Sequence, residues 1–137
     1  MEHLDCLHRP HLYSSVKDSN FLVYKNSSLA CFLATKVIYA NEMYDICVKL
    51  GIKYEEVKKM VVADRRIYDS HLDVTSLRGF GGKCFPKDLL ALLAMVKSNG
   101  VDTTLLDAVW RKNLKIRKVH DWEEIPFVVS KRAKKSA

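Results

Sequence analysis

From Leu29 onward, apolar residues recur at steps of four and three: Leu29, Leu33, Val37, Ala40, Tyr44 and Cys47. That spacing places them on one face of an α-helix. Gly51 stands just past the last of them, where a left-handed residue closes a helix. The pattern predicts a long helix of about six turns. Tyr54, Val57 and Val61 predict a shorter helix, with Glu55 and Glu56 in its first turn, where carboxylates suit the helix dipole. Leu89, Leu92, Leu93 and Val96 form the apolar face of a third helix, which Pro86 opens and Gly100 closes. Asp102 or Thr103 can cap a fourth. There Leu105, Val109 and Ile116 keep helical spacing, Leu106 and Trp110 lie beside them, and Pro126 follows the stop. Residues 65–83 keep no period and read as a long loop, a feature that is often functional inside a compact domain. Met1 to about Tyr24 mixes His, Pro, Ser and Asp, and is expected to be irregular. No strand–helix alternation and no internal repeat is present. The expectation is an all-α domain with one long helix, two to three shorter ones and a Gly-rich loop. It divides as an irregular lead-in over 1–25, a helical domain over 26–125 and a basic tail over 126–137.

Composition narrows the class. A chain of 137 residues with 48% hydrophobic content has the size and make-up of one globular domain. It lacks a run of about 18 apolar residues, so no membrane helix is expected. Met1 to Pro10 has no apolar stretch and does not read as a secretory signal, so the expected compartment is the cytoplasm. Of the net charge of +7, four charges come from Lys131, Arg132, Lys134 and Lys135. A basic tail can bind nucleic acid, but no nucleic-acid-binding motif accompanies it. A solvated tail is the stronger reading, and nucleic-acid binding ranks last. Four cysteines, Cys6, Cys31, Cys47 and Cys84, form no C-x-x-C pair. On one helix Cys31 and Cys47 would lie about 24 Å apart, beyond disulfide reach. His3, Cys6, His8 and His11 match no zinc spacing, and no metal site is expected.

The stretch that carries chemistry is Gly79-Phe80-Gly81-Gly82-Lys83-Cys84-Phe85-Pro86-Lys87-Asp88. Three glycines in four positions let backbone approach a ligand closely. Cys84 then falls at the start of a helix, whose N-terminus favours a thiolate, and Lys83 and Lys87 add positive charge. Asp88 lies four residues on, about one turn away. These are the ingredients of an activated nucleophile beside a carboxylate that can hold water. Against this stands the ordinary role of free cysteine as a small buried hydrophobe, which is the expected role of Cys31 and Cys47.

The same ten residues resemble the active-site signature of the UDP-glucose/GDP-mannose dehydrogenase family. The resemblance extends through Phe32-Leu33-Ala34-Thr35-Lys36-Val37, Ala40-Asn41-Glu42, Asp64-Arg65-Arg66-Ile67, and Gly100-Val101-Asp102-Thr103 through Val109-Trp110 to Asn113. It covers about residues 29–130 and implies that 26–125 is the family's central domain. It implies an enzyme that oxidises a nucleotide-sugar alcohol to an acid in two hydride transfers to NAD. It further implies Cys84 as the nucleophile that holds the sugar aldehyde, first as thiohemiacetal and then as thioester, with Asp88 positioning water or assisting proton transfer. Phe80 and Gly81 would line the sugar site, Arg66 would reach substrate across a homodimer interface, and Lys87 would face the cofactor. The long helix would make the dimer contact.

Three departures from the family pattern follow. No G-x-G-x-x-G and no strand–helix alternation occurs, so the NAD-binding domain is expected to be missing and supplied, if at all, by a separate Rossmann-domain chain. A second nucleotide-binding domain is likewise expected to be missing. The family's lysine and asparagine ahead of Phe-Leu-Ala fall at Asn26 and Ala30, while Lys25 is one residue out of register, about 100° around a helix. The expectation is a fragment, inactive alone, with a UDP-sugar as substrate. The competing reading is a non-catalytic helical dimerisation module that keeps Cys84 by descent.

Overall fold

The computed structural model describes residues 19–124, with side chains described from 24 to 123. The described residues form four α-helices, α1 (Ser19–Leu50), α2 (Tyr54–Val62), α3 (Cys84–Ser98) and α4 (Thr104–Ile116), followed by a 3-10 turn at Asp121–Glu124. The described residues contain no strand, as the periodicity predicts. No helix among them is long and apolar enough to cross a membrane. The His3, Cys6, His8 and His11 cluster and the basic tail lie outside the described residues.

The first helix is longer than its apolar periodicity suggests. It spans 32 residues and starts at Ser19, so residues 19–25, expected to be irregular, are helical. Neither Pro nor Gly occurs between Pro10 and Gly51, so no strong helix breaker interrupts the segment before Gly51. Gly51 closes it with φ of 70°, as its position predicts. Asp102 performs the cap of α4: its Oδ1 accepts from the Thr104 backbone N–H at 2.9 Å and the Thr104 hydroxyl at 2.6 Å. Thr103 instead donates its hydroxyl to Asp107 Oδ2 at 2.7 Å.

The buried stripe of α1 is also offset from the expected one. Ala30, Cys31, Ala34, Ile38, Ala40, Asn41 and Cys47 are buried, whereas Leu29 is 51% exposed. Small residues line the inner face because α3 and α4 pack closely there. The large apolar residues are displaced outward. Cys31, Ala34 and Ile38 pack with Phe80, Leu89, Leu93 and Val109 in the main core, which joins α1, α3 and α4. Ala40, Cys47, Tyr54 and Leu72 form a second cluster that seats α2 and part of the loop on the far half of α1.

Residues 63–83 form one long connection without helix or strand. It is tied down along its length. Lys36 Nζ donates to the Tyr68 carbonyl at 2.9 Å, and the Tyr54 hydroxyl donates to the Leu72 carbonyl at 2.7 Å. Lys58 bridges Asp69 at 2.8 Å and Asp73 at 2.5 Å. The connection therefore arrives at α3 in a fixed position, and its last residues are the glycine-rich segment.

Candidate active site

Cys84 is the first residue of α3, and its side chain is exposed. The helix thus begins two residues before Pro86, which is fully buried in the first turn. Proline is tolerated there because its missing N–H has no intrahelical partner to lose. Asp88 lies one turn beyond Cys84 on the same side of α3. Its carboxylate is half-buried, with Lys87 Nζ 3.6 Å from one oxygen. Burial, and then the Asp88 carboxylate, push the Cys31 thiol up to about 11. Asp88 is therefore close enough to the inner face of α1 for its charge to act on Cys31. Cys31 and Cys47 are buried, as expected of packing residues.

The loop ahead of Cys84 is held from both sides. The fully buried Asn113 of α4 makes a two-point contact with Phe80: the Phe80 N–H donates to Asn113 Oδ1 at 2.8 Å, and Asn113 Nδ2 donates to the Phe80 carbonyl at 3.0 Å. From α1, Asn41 Oδ1 accepts from the Gly79 N–H at 3.1 Å and from Arg78 Nε at 2.8 Å. Arg78 has φ of 59°, rare for a residue with a side chain. Its guanidinium is anchored by Asn41, by Asp45 at 2.5 Å and by the face of Tyr44 at 5.0 Å, and these contacts hold the strained backbone.

Beneath the loop, Arg117 donates from Nη1 to the Arg78 carbonyl at 3.1 Å and from Nε to the Val119 carbonyl at 3.0 Å. Asp121 Oδ2 accepts from the Gly82 N–H at 2.8 Å. A Cβ on Gly81 would collide with the Arg117 guanidinium and lie 2.5 Å from Asp121 Oδ1. Glycine at 81 is thus a matter of space. Trp122, almost wholly buried, closes this end by packing on Trp110 at 5.4 Å and His120 at 4.7 Å between ring centroids.

The chain brings together Gly81, Cys84, Lys87 and Asp88 at the start of α3. The Phe80 ring points into the core, against Phe85 at 6.1 Å and Trp110 at 6.3 Å, and both its backbone polar groups are taken by Asn113. Arg66 stands apart, its side chain 87% exposed and paired with Asp64 at 2.7 Å, which holds the Asp64 carboxyl below its usual range. It borders a cavity of about 360 Å³ shared with Phe32, Lys36, Tyr39 and Tyr68 on the outer side of α1. Asn26 is exposed and Ala30 is buried on α1. Among the described residues, no group of three or more His, Cys, Asp or Glu could hold a metal ion.

Motif reasoning does not single out the roles of Asn41, Arg78, Asn113, Arg117 and Asp121. A signal existed for two of them. Asn113 falls four residues after Val109, on the apolar face of α4, and Asn41 follows Ile38 and Ala40 on that of α1. A polar residue on a buried face needs a hydrogen-bond partner.

Comparison with known proteins identifies the family of the domain. Residues 23–115 match the model of the UDP-glucose/GDP-mannose dehydrogenase family, central domain. The chain is 44% identical over 82 residues to UDP-glucose 6-dehydrogenase of Rickettsia bellii, covering 60% of this chain and 18% of that protein. It is 42% identical over 95 residues to that of Rickettsia felis, covering 69% and 20%. To UDP-glucose 6-dehydrogenase TuaD of Bacillus subtilis it is 36% identical over 110 residues, covering 80% and 23%. The chain spans about a fifth of the length of these curated relatives. With the matched residues making up most of the chain, it belongs to the UDP-glucose/GDP-mannose dehydrogenase family and carries that family's central domain.

Proposed function

We propose that this chain is the cysteine-bearing, dimer-forming domain of a UDP-glucose 6-dehydrogenase, a cytoplasmic enzyme that oxidises UDP-glucose to UDP-glucuronate. The observation that carries the reading is the exposed thiol of Cys84 at the first position of α3, one turn from the Asp88 carboxylate and directly after a clamped glycine loop. In this role the Cys84 thiolate adds to the aldehyde carbon at C6 of the sugar. The S–C bond forms as the carbonyl π pair moves to oxygen, which takes a proton. After oxidation to the thioester, water held at Asp88 attacks the acyl carbon, the C–S bond breaks, and the thiolate leaves with the acid released.

NAD is the hydride acceptor that the family resemblance implies. The described residues are all helix and loop, with no strand. They therefore do not build a dinucleotide crevice of the strand–helix kind. A Rossmann-type partner chain would supply it, with Lys87 facing the cofactor. Gly81 and the neighbouring loop would border the sugar, and Phe80 would set the loop from beneath. Arg66, exposed and paired with Asp64, would turn to the partner protomer's substrate.

The homodimer has its own support. Phe32, Tyr39, Ile46 and Leu50 are 44 to 67% exposed and fall at helical spacing along the outer side of α1. That same stripe, with Asn26 and Ala30 at the positions of the family's lysine and asparagine, favours the second reading, a dimerisation module without turnover.

Alkylation of Cys84 in the full chain, followed by mass spectrometry, separates the two. UDP-glucose should shield Cys84 from the reagent under the first reading. Unchanged labelling at saturating UDP-glucose would favour the second.

A further inference from the structure

We infer that Asn113 is a positioning residue for Cys84. This rests on the proposed role of Cys84 as the sugar-holding thiol. Three observations converge. First, Asn113 is fully buried, yet both of its amide atoms are spent on the backbone of one loop residue, Phe80. A primary amide that both donates to and accepts from one residue fixes the position and rotation of that peptide segment, as paired strands do. Second, the neighbouring residue is shaped to admit it. Gly79 has φ of 51°, and a Cβ there would collide with Asn113 Oδ1. Third, the contact reaches Cys84 through rigid parts. The Phe80 ring packs edge-on against Phe85, the residue next to Cys84, and both belong to or pack on the main core. The rotation of Phe80 therefore sets where the first turn of α3, and with it the thiol, lies relative to the glycine backbone.

Asn113 itself touches no reacting atom in this account; it acts through Phe80. The alternative is that it merely satisfies a buried pair of backbone groups and contributes stability alone.

The test uses the full chain with Asn113→Ser, which breaks the two-point contact and leaves room for water. Gly79→Ala attacks the same contact from the loop side and serves where Asn113→Ser fails to fold. Cys31 and Cys47 supply an internal control, because both are buried and their protection from alkylation reports an intact fold. With those two thiols still protected, the variant is expected to need at least about tenfold more UDP-glucose to shield Cys84. Amide exchange across residues 79–83 should rise at least about tenfold, with α2 unchanged. A variant that keeps wild-type shielding of Cys84 overturns the inference, whether or not exchange in this segment rises, because Asn113 would then only stabilise the loop. If the wild-type chain itself shows no shielding, the proposed function fails; faster exchange over 79–83 in the variant then still upholds the loop-holding role of Asn113, and unchanged exchange removes it.

Discussion

Gly81→Ala isolates steric cost from backbone strain. Gly81 lies outside the left-handed region, so its backbone tolerates a side chain, but the new methyl would occupy the place of the Arg117 guanidinium. Arg117, with only 9% of its side chain exposed, would have to give up its bonds to the Arg78 and Val119 carbonyls. Hydrogen bonds to charged groups contribute about 1.5–3 kcal/mol each. Part of that is recovered by water at the new position, so a loss of about 2–4 kcal/mol is expected. Gly82→Ala is the contrast. Gly82 has φ of 73° and nothing within 4 Å of its Cβ position, so only the left-handed strain of about 1–2 kcal/mol applies. Urea unfolding of both variants in wild-type and Arg117→Ala backgrounds forms a double-mutant cycle. The account expects the Gly81→Ala cost to fall by at least about 1 kcal/mol once Arg117 is truncated, and the Gly82→Ala cost to stay the same. Equal Gly81→Ala costs in the two backgrounds would refute the steric reasoning.

Other expectations follow from the same contacts. Leu89→Ala, at a fully buried site in the main core, should cost about 2–5 kcal/mol by denaturant unfolding. Tyr54→Phe should cost about 1–3 kcal/mol, because it leaves the buried Leu72 carbonyl without its donor. Burial raises the Cys31 thiol from 9.0 to about 11, so the folded state holds this proton more tightly than the unfolded state. Its contribution is complete below pH 9 and is lost as pH climbs to about 11. Cys31→Ala should flatten that alkaline limb of the stability curve, and an unchanged limb would show another group to be responsible. At the other end, Lys97 and Thr103 hold the Asp107 carboxyl below its ordinary value. That contribution is present above the ordinary carboxylate range and lost on acidification. Asp107→Asn should therefore reduce the acid dependence of unfolding, read by circular dichroism.

Much of the fold was legible because helical spacing of apolar residues repeats over many turns, and Gly51 marks the end of α1. The start of α1 was not, because Ser19 to about Leu29 is helical without showing an apolar stripe. The buried face of α1 is also offset by about one residue from the periodic apolar stripe. Size decided it: Ala30, Ala34 and Ala40 fit beneath neighbouring helices, while Leu29 and Phe32 remain outside. At the candidate site, Cys84 and Asp88 could be read from the signature and the helix turn between them. The clamps could not, because Asn41, Asn113, Arg117 and Asp121 act on a loop 33 to 39 residues distant in sequence. Such pairings have no local pattern and become visible only when α1 and α4 are packed around the loop.

The most direct test is to watch the sugar carbon itself. UDP-glucose 6-aldehyde labelled with 13C at C6 is added to the full chain and to Cys84→Ser, and the C6 resonance is followed. The account predicts a thiohemiacetal signal that appears with the native chain and is absent from the variant. The same spectrum from both proteins, with the aldehyde hydrate alone in each, would contradict it.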